Sequence, residues 1–286
     1  MPTVRDLRDR IRSMKNTQQI TKAMKQVAAA KIRRAEQLQK QSRPYAEALA
    51  AMLRDLIANM SSVDHPFMKH GRAGAPAGVV LMTADKGLAG AFNANLIRAA
   101  EVYARENPNL VWYSVGVKGR NAVRRRSEET KQFWPLTQGL MIDTAREVAV
   151  RVTADFVDGT IGSIVLISPK LVSMITQRPQ TQQIVPIVAD REQPKGEGPK
   201  GAVEFEPSAE FVLSRLLPKY LEFTIYSAML ETNAAFFAAQ LIAMNNASDN
   251  AKKIIDELTL QMNKARQAAI TKEILEIVGG AEALAG

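Results

Sequence analysis

The sequence of 286 residues contains no cysteine and only two histidines, His65 and His70. Without cysteine there can be no disulfide scaffold, thiol nucleophile or cysteine zinc site, and two histidines are too few for a histidine-rich metal centre. No apolar run approaches the roughly 20 residues that a membrane-spanning helix needs. The first residues lack the apolar segment of a secretion signal, so we expect a protein of the cytosol or of a membrane face.

Positive charge is concentrated at the start of the chain. The net charge is +9, and residues 1–55 hold 13 Lys and Arg against 5 Asp and Glu, a local net charge of +8. A basic segment of this kind favours a nucleic acid, an acidic membrane or an acidic protein as the partner. The alternative is that the charges form only the solvated face of a helix.

Two long stretches, residues 3–43 and 219–278, contain neither glycine nor proline. Both are rich in residues that favour helices, so each predicts a long α-helix. Apolar residues recur at steps of three and four, which is typical of a coiled-coil seam. The predicted seam residues are Val4, Leu7, Ile11, Met14, Ile20, Met24, Val27, Ile32, Ala35 and Leu38 in the first stretch, and Leu221, Ile225, Met229, Ile254, Leu258, Met262, Ala265 and Ala269 in the second.

The lengths of these helices predict how they are arranged. About 75 residues of helix span about 110 Å, whereas a compact globule of this chain length is about 50 Å wide. The last helix must therefore project and needs a partner, for which the first helix, running antiparallel, is the obvious choice. Since the last helix is longer, its end should extend alone, and apolar residues such as Ile270, Ile274 and Ile277 there predict insertion into another protein.

The middle of the chain predicts a small parallel α/β sheet. Apolar runs of strand length alternate with helical segments, and this alternation is typical of such a sheet. The predicted strands are 78–83, 110–115, 161–167 and, more weakly, 184–188, and the predicted helices are 91–106, 119–127 and 139–157. The expected division is a coiled-coil helix at 1–58, an α/β domain at 75–190, a loop or linker at 191–207 and a coiled-coil helix at 208–286, with Thr3 and Asp6 capping the first helix.

Two motifs in the α/β domain could bind phosphate. Residues 84–90 (ADKGLAG) follow the first strand, where a nucleotide-binding fold carries its phosphate loop, although the pattern matches neither standard loop motif. The alternative is a tight turn in which glycine permits unusual backbone angles. Arg124, Arg125 and Arg126 could hold phosphate, and an exposed helix end is the favoured alternative. No nucleophile, base and orienting group can be assembled from the sequence, so we expect a chain that is not an enzyme by itself.

Three motifs, in order along the chain, give it a family resemblance. They are residues 16–31 (NTQQITKAMKQVAAAK), residues 83–90 (TADKGLAG) and residues 263–281 (NKARQAAITKEILEIVGGA). Together they resemble the gamma subunits of F-type rotary ATP synthases of the bacterial type, and the likeness covers essentially the whole chain. The resemblance implies a long antiparallel coiled coil of the terminal helices with an inserted small Rossmann-like α/β domain.

The resemblance also implies a function. The chain would be a rotating central stalk, one copy per complex, that couples ion-driven rotation of the membrane c-ring to ATP synthesis or hydrolysis at sites in the beta subunits. Its partners would be the hexamer of alpha and beta subunits, the epsilon subunit and the c-ring, at the cytoplasmic face of the bacterial membrane. It would have no cofactor, no metal and no transmembrane segment of its own, and it would bind no nucleic acid.

By the motif match, eight residues are implied as partner contacts. Met24 and Lys25 would face the lever region of a beta subunit, while the others would contact the inside of the hexamer; these are Arg266, Gln267, Thr271, Glu273, Ile274 and Ile277. The chain departs from the family at Ala235, Phe236 and Gln240, where relatives usually have a Ser-Glu pair and a nearby Arg. With Phe237 beside it, Phe236 predicts tighter packing against the α/β domain.

Two other functions stay open at this point. A basic coiled coil could bind nucleic acid, with an affinity that falls steeply as salt rises. An α/β domain with helical arms could instead bind a nucleotide near Lys86.

Overall fold

The computed structural model describes residues 3–58, 65–69, 71–126, 128–136, 141–187, 206 and 208–285. The predicted loop at 191–207 lies outside these ranges except for Glu206, as does His70. The elements are α1 (Val4–Ala58), a 3-10 turn (Pro66–Met68), β1 (Ala77–Met82), α2 (Phe92–Glu106), β2 (Leu110–Val115), α3 (Val117–Arg125), β3 (Thr130–Trp134), α4 (Met141–Val157), β4 (Ser163–Leu171), β5 (Gln177–Val185) and α5 (Ala209–Ala285).

The two predicted long helices are confirmed, and their first turns are capped by side chains. The Asp6 backbone N–H donates to Thr3 Oγ1 over 3.2 Å, and the Thr3 N–H donates to Asp6 Oδ2 over 3.0 Å, which is the reciprocal capping box. The Phe211 N–H donates to Ser208 Oγ at the start of α5. Helix α5 does not end at Gly279 and Gly280, as their low helix propensity suggests, but continues to Ala285.

The chain divides into two compact units, which are described separately. The helical unit comprises residues 1–29 and 240–286, and the α/β unit comprises residues 30–239. Within the α/β unit the two long helices are antiparallel. Tyr45 of α1 contacts Phe223 of α5, with ring centroids 4.6 Å apart, while Lys31 Nζ lies 5.1 Å from the ring centroid of Phe237. Positions rise along one helix as they fall along the other, as the sequence predicted.

The sheet has five strands in the order β3-β2-β1-β4-β5. The first four strands are parallel, as the sequence predicted, but β5 pairs antiparallel with β4, so the prediction of a parallel sheet was wrong for this one strand. The apolar run predicted at 184–188 covers only the end of β5. Six of the nine residues of β5 are exposed and are either polar or proline, so they give no apolar signal. Strand β3 was missed, since edge strands need no continuous apolar run.

Helices cover both faces of this sheet in the α/β unit. On one face Val80 and Ile164 pack with Leu53 of α1, Val148 of α4 and Leu217 of α5. On the other face Val79 and Val165 pack with residues of α2 and α3, among them Ala100 and Val123. The outcome is a three-layered α/β fold in which both long helices contribute directly to the core.

One buried carboxylate connects the sheet to α4. The Asp155 side chain, 5% exposed, accepts a hydrogen bond from Tyr113 Oη and ion pairs with Lys131 Nζ at 3.0 Å and with Arg151 Nε at 3.1 Å. Burial alone would raise the pKa of Asp155, but the hydrogen bonds from Tyr113 and Lys131 and the two positive charges outweigh it, so this pKa lies below its usual value. Burial and the neighbouring carboxylate raise the pKa of Tyr113.

We therefore predict that Asp155→Asn lowers the free energy of unfolding by about 2 kcal/mol at pH 7. Because the folded-state pKa is depressed, the stabilisation is present above the unfolded-state pKa of about 4 and disappears as the pH falls through the folded-state value. Denaturant titrations of both proteins between pH 7 and pH 2 should show the difference narrowing at the acid end.

The matched control is Asp143→Asn, on the same helix, whose ion pair with Arg146 is more than half exposed. It should change stability by less than about 0.5 kcal/mol at any pH. A difference at Asp155 that is constant with pH would contradict the assigned role of its charge.

Candidate partner-binding surfaces

In the helical unit the α1 seam follows a heptad spacing. Leu7, Thr21 and Ala28 are buried at intervals of fourteen and seven residues, and Ile11 is buried beside them. On α5 the buried positions Met244, Ser248 and Ala251 follow the same pattern, at steps of four and three residues. The two helices therefore have a buried seam, and it consists partly of small and polar side chains.

The predicted seam residues Ile20 and Val27 do not lie in this seam. Their side chains are 60% and 54% exposed, and Met24 between them is half-buried. The prediction followed apolar side chains, whereas the seam passes through Thr21 and Ala28. Ile20, Met24 and Val27, at steps of four and three residues, form instead a partly exposed apolar row on α1, named the α1 stripe. On α5, Ile254 is likewise exposed, and its neighbour Ile255 lies closer to the seam.

Lys25, adjacent to the α1 stripe, makes a contact across to α5. Its Nζ donates to Asn245 Oδ1 over 2.6 Å, and Asn245 Nδ2 donates in turn to Asp249 Oδ2 over 3.1 Å. The lysine side chain is exposed. The structure thus gives Lys25 a partner within the chain.

The end of α5 exposes a run of side chains. From position 266 to position 279 every side chain is exposed, and we name this segment the apolar tip. Its large apolar members are Ile270, Ile274, Leu275, Ile277 and Val278, between 49% and 71% exposed. Because every residue from 266 to 279 is exposed, the predicted unpaired end of the longer helix is confirmed for the described part of the chain.

All six predicted contact residues of the tip lie on one side of the helix. At 100° per residue, positions 266, 267, 271, 273, 274 and 277 fall within an arc of about 160°. Lys272 and Glu276, whose side chains pair at 3.5 Å, lie on the opposite side. A partner could therefore contact all six predicted residues at once while this ion pair stays in solvent.

Met24 and Lys25 do not belong to the same surface as the tip. Lys25 contacts Asn245, and Arg266 follows 21 residues later on the same helix, which places it about 30 Å further along. The structure therefore separates the predicted residues into two groups, Met24 and Lys25 on α1 and the six residues of the apolar tip on α5.

The ADKGLAG turn in the α/β unit is held by its own side chains. Asp85 Oδ1 accepts from the first N–H of α3, that of Val117, over 2.9 Å, and Asn93 bonds to Ala84 N–H and to the Lys86 carbonyl. The Gly119 N–H donates to Thr83 Oγ1. Gly116, with φ of 95°, allows this approach, because a Cβ there would lie 2.0 Å from the Thr83 carbonyl oxygen. These bonds favour the interpretation as a structural turn.

The arginine cluster is an exposed helix end. Arg124 and Arg125 form the last turn of α3, where positive charge is favourable to the helix dipole. Arg126 Nε lies 3.1 Å from Glu128 Oε1, and the same carboxylate accepts from Trp112 Nε1. All three arginines are exposed at this end of the helix, as the favoured alternative predicted.

Comparison with known proteins decides the family. The profile of the family described as ATP synthase matches residues 3–284. The ATP synthase gamma chain of Heliobacterium modesticaldum is 44% identical, over 99% of this chain and all of the relative, and that of Desulforamulus reducens is 43% identical over the same shares. This chain belongs to the ATP synthase gamma-chain family.

Solved structures agree on the fold. A chain of the central stalk and c-ring of the Tetrahymena thermophila mitochondrial ATP synthase matches 80% of this chain with 99% of its own length, at 24% identity and a TM-score of 0.61. A chain of the Euglena gracilis mitochondrial ATP synthase covers 98% of this chain with 94% of its own, at 18% identity and a TM-score of 0.68. At these identities the likeness concerns the fold, and it confirms the long helices with an inserted α/β domain.

The departures from the gamma-chain pattern have a structural explanation. Phe236 and Phe237 are each 5% exposed and pack with Phe92 of α2; the centroids of Phe92 and Phe236 are 5.9 Å apart. Ala235 is fully buried in the same cluster. Phe236 and Phe237 are therefore core residues of the α/β unit, and packing tighter than that of relatives stays a prediction. Gln240 is 9% exposed.

Sequence reasoning missed the exposure of Ile20 and Val27 and the bond between Lys25 and Asn245. A strict heptad count from Leu7 would have predicted this exposure, because the count reaches Thr21 and Ala28 and places Ile20 and Val27 outside the seam. No local signal predicts the bond between Lys25 and Asn245, since these residues are 220 positions apart. Within the described ranges no helix is long and apolar enough to cross a membrane.

The turn interpretation gives a test. Asp85→Ala should lower the free energy of unfolding by about 1 kcal/mol, because it removes a cap of α3. Lys86→Ala, the control at the exposed neighbouring position, should change it by less than about 0.5 kcal/mol. Denaturant unfolding measures both. Saturable binding of ATP to the isolated chain that Lys86→Ala abolishes would instead establish the nucleotide-binding interpretation.

Proposed function

We propose that the chain is the rotating central stalk of an ATP synthase and couples ion-driven rotation to ATP synthesis or hydrolysis. One observation carries the proposal: the chain matches gamma chains over its whole length and over theirs. The nucleic-acid alternative has no support in these relatives. The physical features of the two surfaces are consistent with the stalk role.

The apolar tip supports insertion into a sleeve formed by the alpha and beta subunits. Ile274 and Ile277 are 55% and 71% exposed, and apolar side chains of this size are unfavourable in water unless a partner covers them. An apolar sleeve provides burial without directional bonds, so it can hold the tip while the tip turns. Arg266, Gln267, Thr271 and Glu273 would supply polar contacts on the same side.

The α1 stripe supports contact with the lever region of a beta subunit. Met24 is half-buried between exposed Ile20 and Val27, and an adaptable Met among apolar neighbours suits a surface that meets successive partners. Lys25 is exposed beside it and belongs to the same predicted contact. A stalk with one such stripe would contact one beta subunit differently from the others, which is the differential contact that different site affinities require.

The chain itself would be non-catalytic. Asp85 is engaged as a helix cap and Asp155 in ion pairs, so neither is free to act as a general base. ATP chemistry, nucleotides and metal would belong to the beta subunits. The stalk would contribute the mechanical link alone.

The α/β unit would be the foot of the stalk. It would rest on the c-ring beside the epsilon subunit, at the cytoplasmic face of a bacterial membrane, with one copy per complex. A foot of this kind must transmit torque to the long helices, and both of them pack directly into the core of the sheet.

Reconstitution with cognate alpha and beta subunits tests the proposal. The double variant Ile274→Asn with Ile277→Asn should weaken binding of the chain to the hexamer about tenfold, because it removes apolar burial in the sleeve. Truncation after Gln261 should weaken it further and reduce sustained ATPase turnover. Binding is measured by titration and turnover by phosphate release.

The matched control is Val150→Asn with Val157→Asn, two α4 positions that are 63% and 60% exposed. This variant adds the same polar groups at equal exposure and should bind like the wild type. The stalk role is rejected if the unaltered chain does not join the hexamer in a ratio of one to one, or joins without changing turnover.

A further inference from the structure

The turn that joins β4 to β5 exposes large apolar side chains. Val172, Met174 and Ile175 are 57%, 36% and 78% exposed, and they lie within four consecutive positions. Single exposed apolar residues are ordinary, whereas a contiguous group of them is typical of a contact surface. We name residues 172–176 the hairpin tip. The hairpin tip belongs to the α/β unit, while the α1 stripe and the apolar tip belong to the helical unit.

The conformation of the hairpin tip is fixed by its own hydrogen bonds. The N–H groups of Ser173 and Thr176 each donate to the carbonyl of the other over 3.1 Å. Ser173 Oγ also accepts from the Ile175 N–H, and Gln177 Nε2 donates to the Met174 carbonyl over 2.8 Å. Because these backbone groups are already paired, the apolar side chains are held in a defined arrangement, which lowers the cost of ordering them on binding.

The base of the hairpin is attached to α5. The Leu171 N–H donates to Glu231 Oε1 over 2.9 Å, and the Leu171 side chain packs against the cluster that contains Phe236 and Phe237. A partner bound to the hairpin tip would therefore be connected to α5 through one hydrogen bond and a buried apolar contact.

The two strands beside the hairpin tip carry positive charge only. Lys170 of β4 and Arg178 of β5 lie directly opposite each other, both are exposed, and they are the sole charged residues between positions 159 and 187. Like charges at opposite positions of a strand pair are destabilising. Among the described residues neither side chain has a carboxylate partner. The pair is therefore suited to carboxylates of a partner, which would offset the repulsion.

The position of the hairpin selects the kind of partner. Glu231 and Phe236 belong to the last turns of α5 in the α/β unit, which ends at residue 239. Under the proposed stalk function α5 continues from there toward the hexamer, so the hairpin tip would lie away from the end that rests on the c-ring and the membrane. A side chain beside the rotation axis would leave any pocket of the stationary hexamer as the stalk turned. Only a subunit that turns with the chain could hold it throughout rotation.

We propose that the hairpin tip inserts into an apolar pocket on a protein subunit that turns together with this chain, and that Lys170 and Arg178 pair with carboxylates at the border of that pocket. The inference rests on the proposed stalk function, in which the epsilon subunit is the partner of this kind. The hairpin would thus join the epsilon subunit to α5.

Titration of the full chain with the cognate epsilon subunit tests the apolar part of the contact. The double variant Val172→Asn with Ile175→Asn should raise the Kd about tenfold, because it removes two apolar side chains from the pocket. The matched control is Val150→Asn with Val157→Asn, at similar exposure on α4, and it should bind like the wild type. An unchanged Kd for the hairpin variant, an equal loss in the control, or a wild-type chain that does not bind the epsilon subunit would overturn the proposal.

The charged part of the contact has a separate test. Lys170→Gln with Arg178→Gln should weaken binding about threefold at low salt, and less as salt rises, because screening already weakens these pairs in the wild type. The same variant should unfold at an equal or higher denaturant concentration, since it removes a repulsion, so weaker binding cannot be due to damage to the fold. Arg124→Gln with Arg125→Gln removes the same charge from the exposed end of α3 and should not change the Kd. Equal weakening by both variants would contradict the assigned role of Lys170 and Arg178.

A crosslink identifies the partner in the assembled complex. Because the sequence has no cysteine, Ile175→Cys carries a single photoreactive maleimide, with Ile274→Cys in the apolar tip as the positive control. We expect the probe at 175 to crosslink to the epsilon subunit. Crosslinks to alpha, beta or c subunits instead, or none while the probe at 274 reacts, would overturn the proposal, as would loss of binding to anionic phosphatidylglycerol vesicles in the Val172→Asn, Ile175→Asn variant. Failure of the wild-type chain to join the hexamer would reject the stalk function, whereas the titration would still decide whether the hairpin tip binds the epsilon subunit.

Discussion

Covering the apolar side of a helix of 77 residues is the constraint on which the structure depends. Along α5 this burial takes three forms. From 232 to 238 every side chain is buried in the α/β unit, from 240 to 265 only the seam toward α1 is covered, and from 266 to 279 every residue is exposed among the described part of the chain. One continuous helix therefore forms part of the α/β core, then one helix of the coiled coil, and finally an exposed end. The rest of the fold supplies the first two coverings and leaves the third to a partner.

The features predicted best from sequence are those with long-range periodicity or clear end signals. The long helices, their caps, four of the five strands and the unpaired tip followed from missing glycine and proline, from apolar spacing and from length. The antiparallel direction of β5 was not predicted, because its polar outer residues, such as Gln180 and Gln182, carry no apolar signal. The continuation of α5 through Gly279 and Gly280 also ran against local propensity.

The candidate surfaces were predictable to different extents. The tip is recognisable because its apolar side chains lie beyond the end of the shorter helix, which could otherwise cover them. The α1 stripe was placed in the seam, because an apolar residue is not distinguishable from a seam residue until the heptad phase is fixed. That phase depends on Thr21, which is buried although it is polar, and on α5, which is more than 200 residues away. The hydrogen bond of Lys25 depends in the same way on Asn245, 220 residues further along the chain.

The helical glycines at 279 and 280 have a consequence for the end of the stalk. Each glycine disfavours the helix by about 1 kcal/mol relative to alanine, because the unfolded backbone has more freedom to lose. Gly279 is exposed, and no described residue lies within 4 Å of a Cβ placed there, so these last turns should open more readily than the turns of the seam. Docking of the tip would then include a local ordering step, because the sleeve would hold these last turns in the helical conformation as well as cover their apolar side chains. The end of the stalk would therefore adapt its conformation to the surrounding subunits, whereas the paired helices behind it would stay rigid.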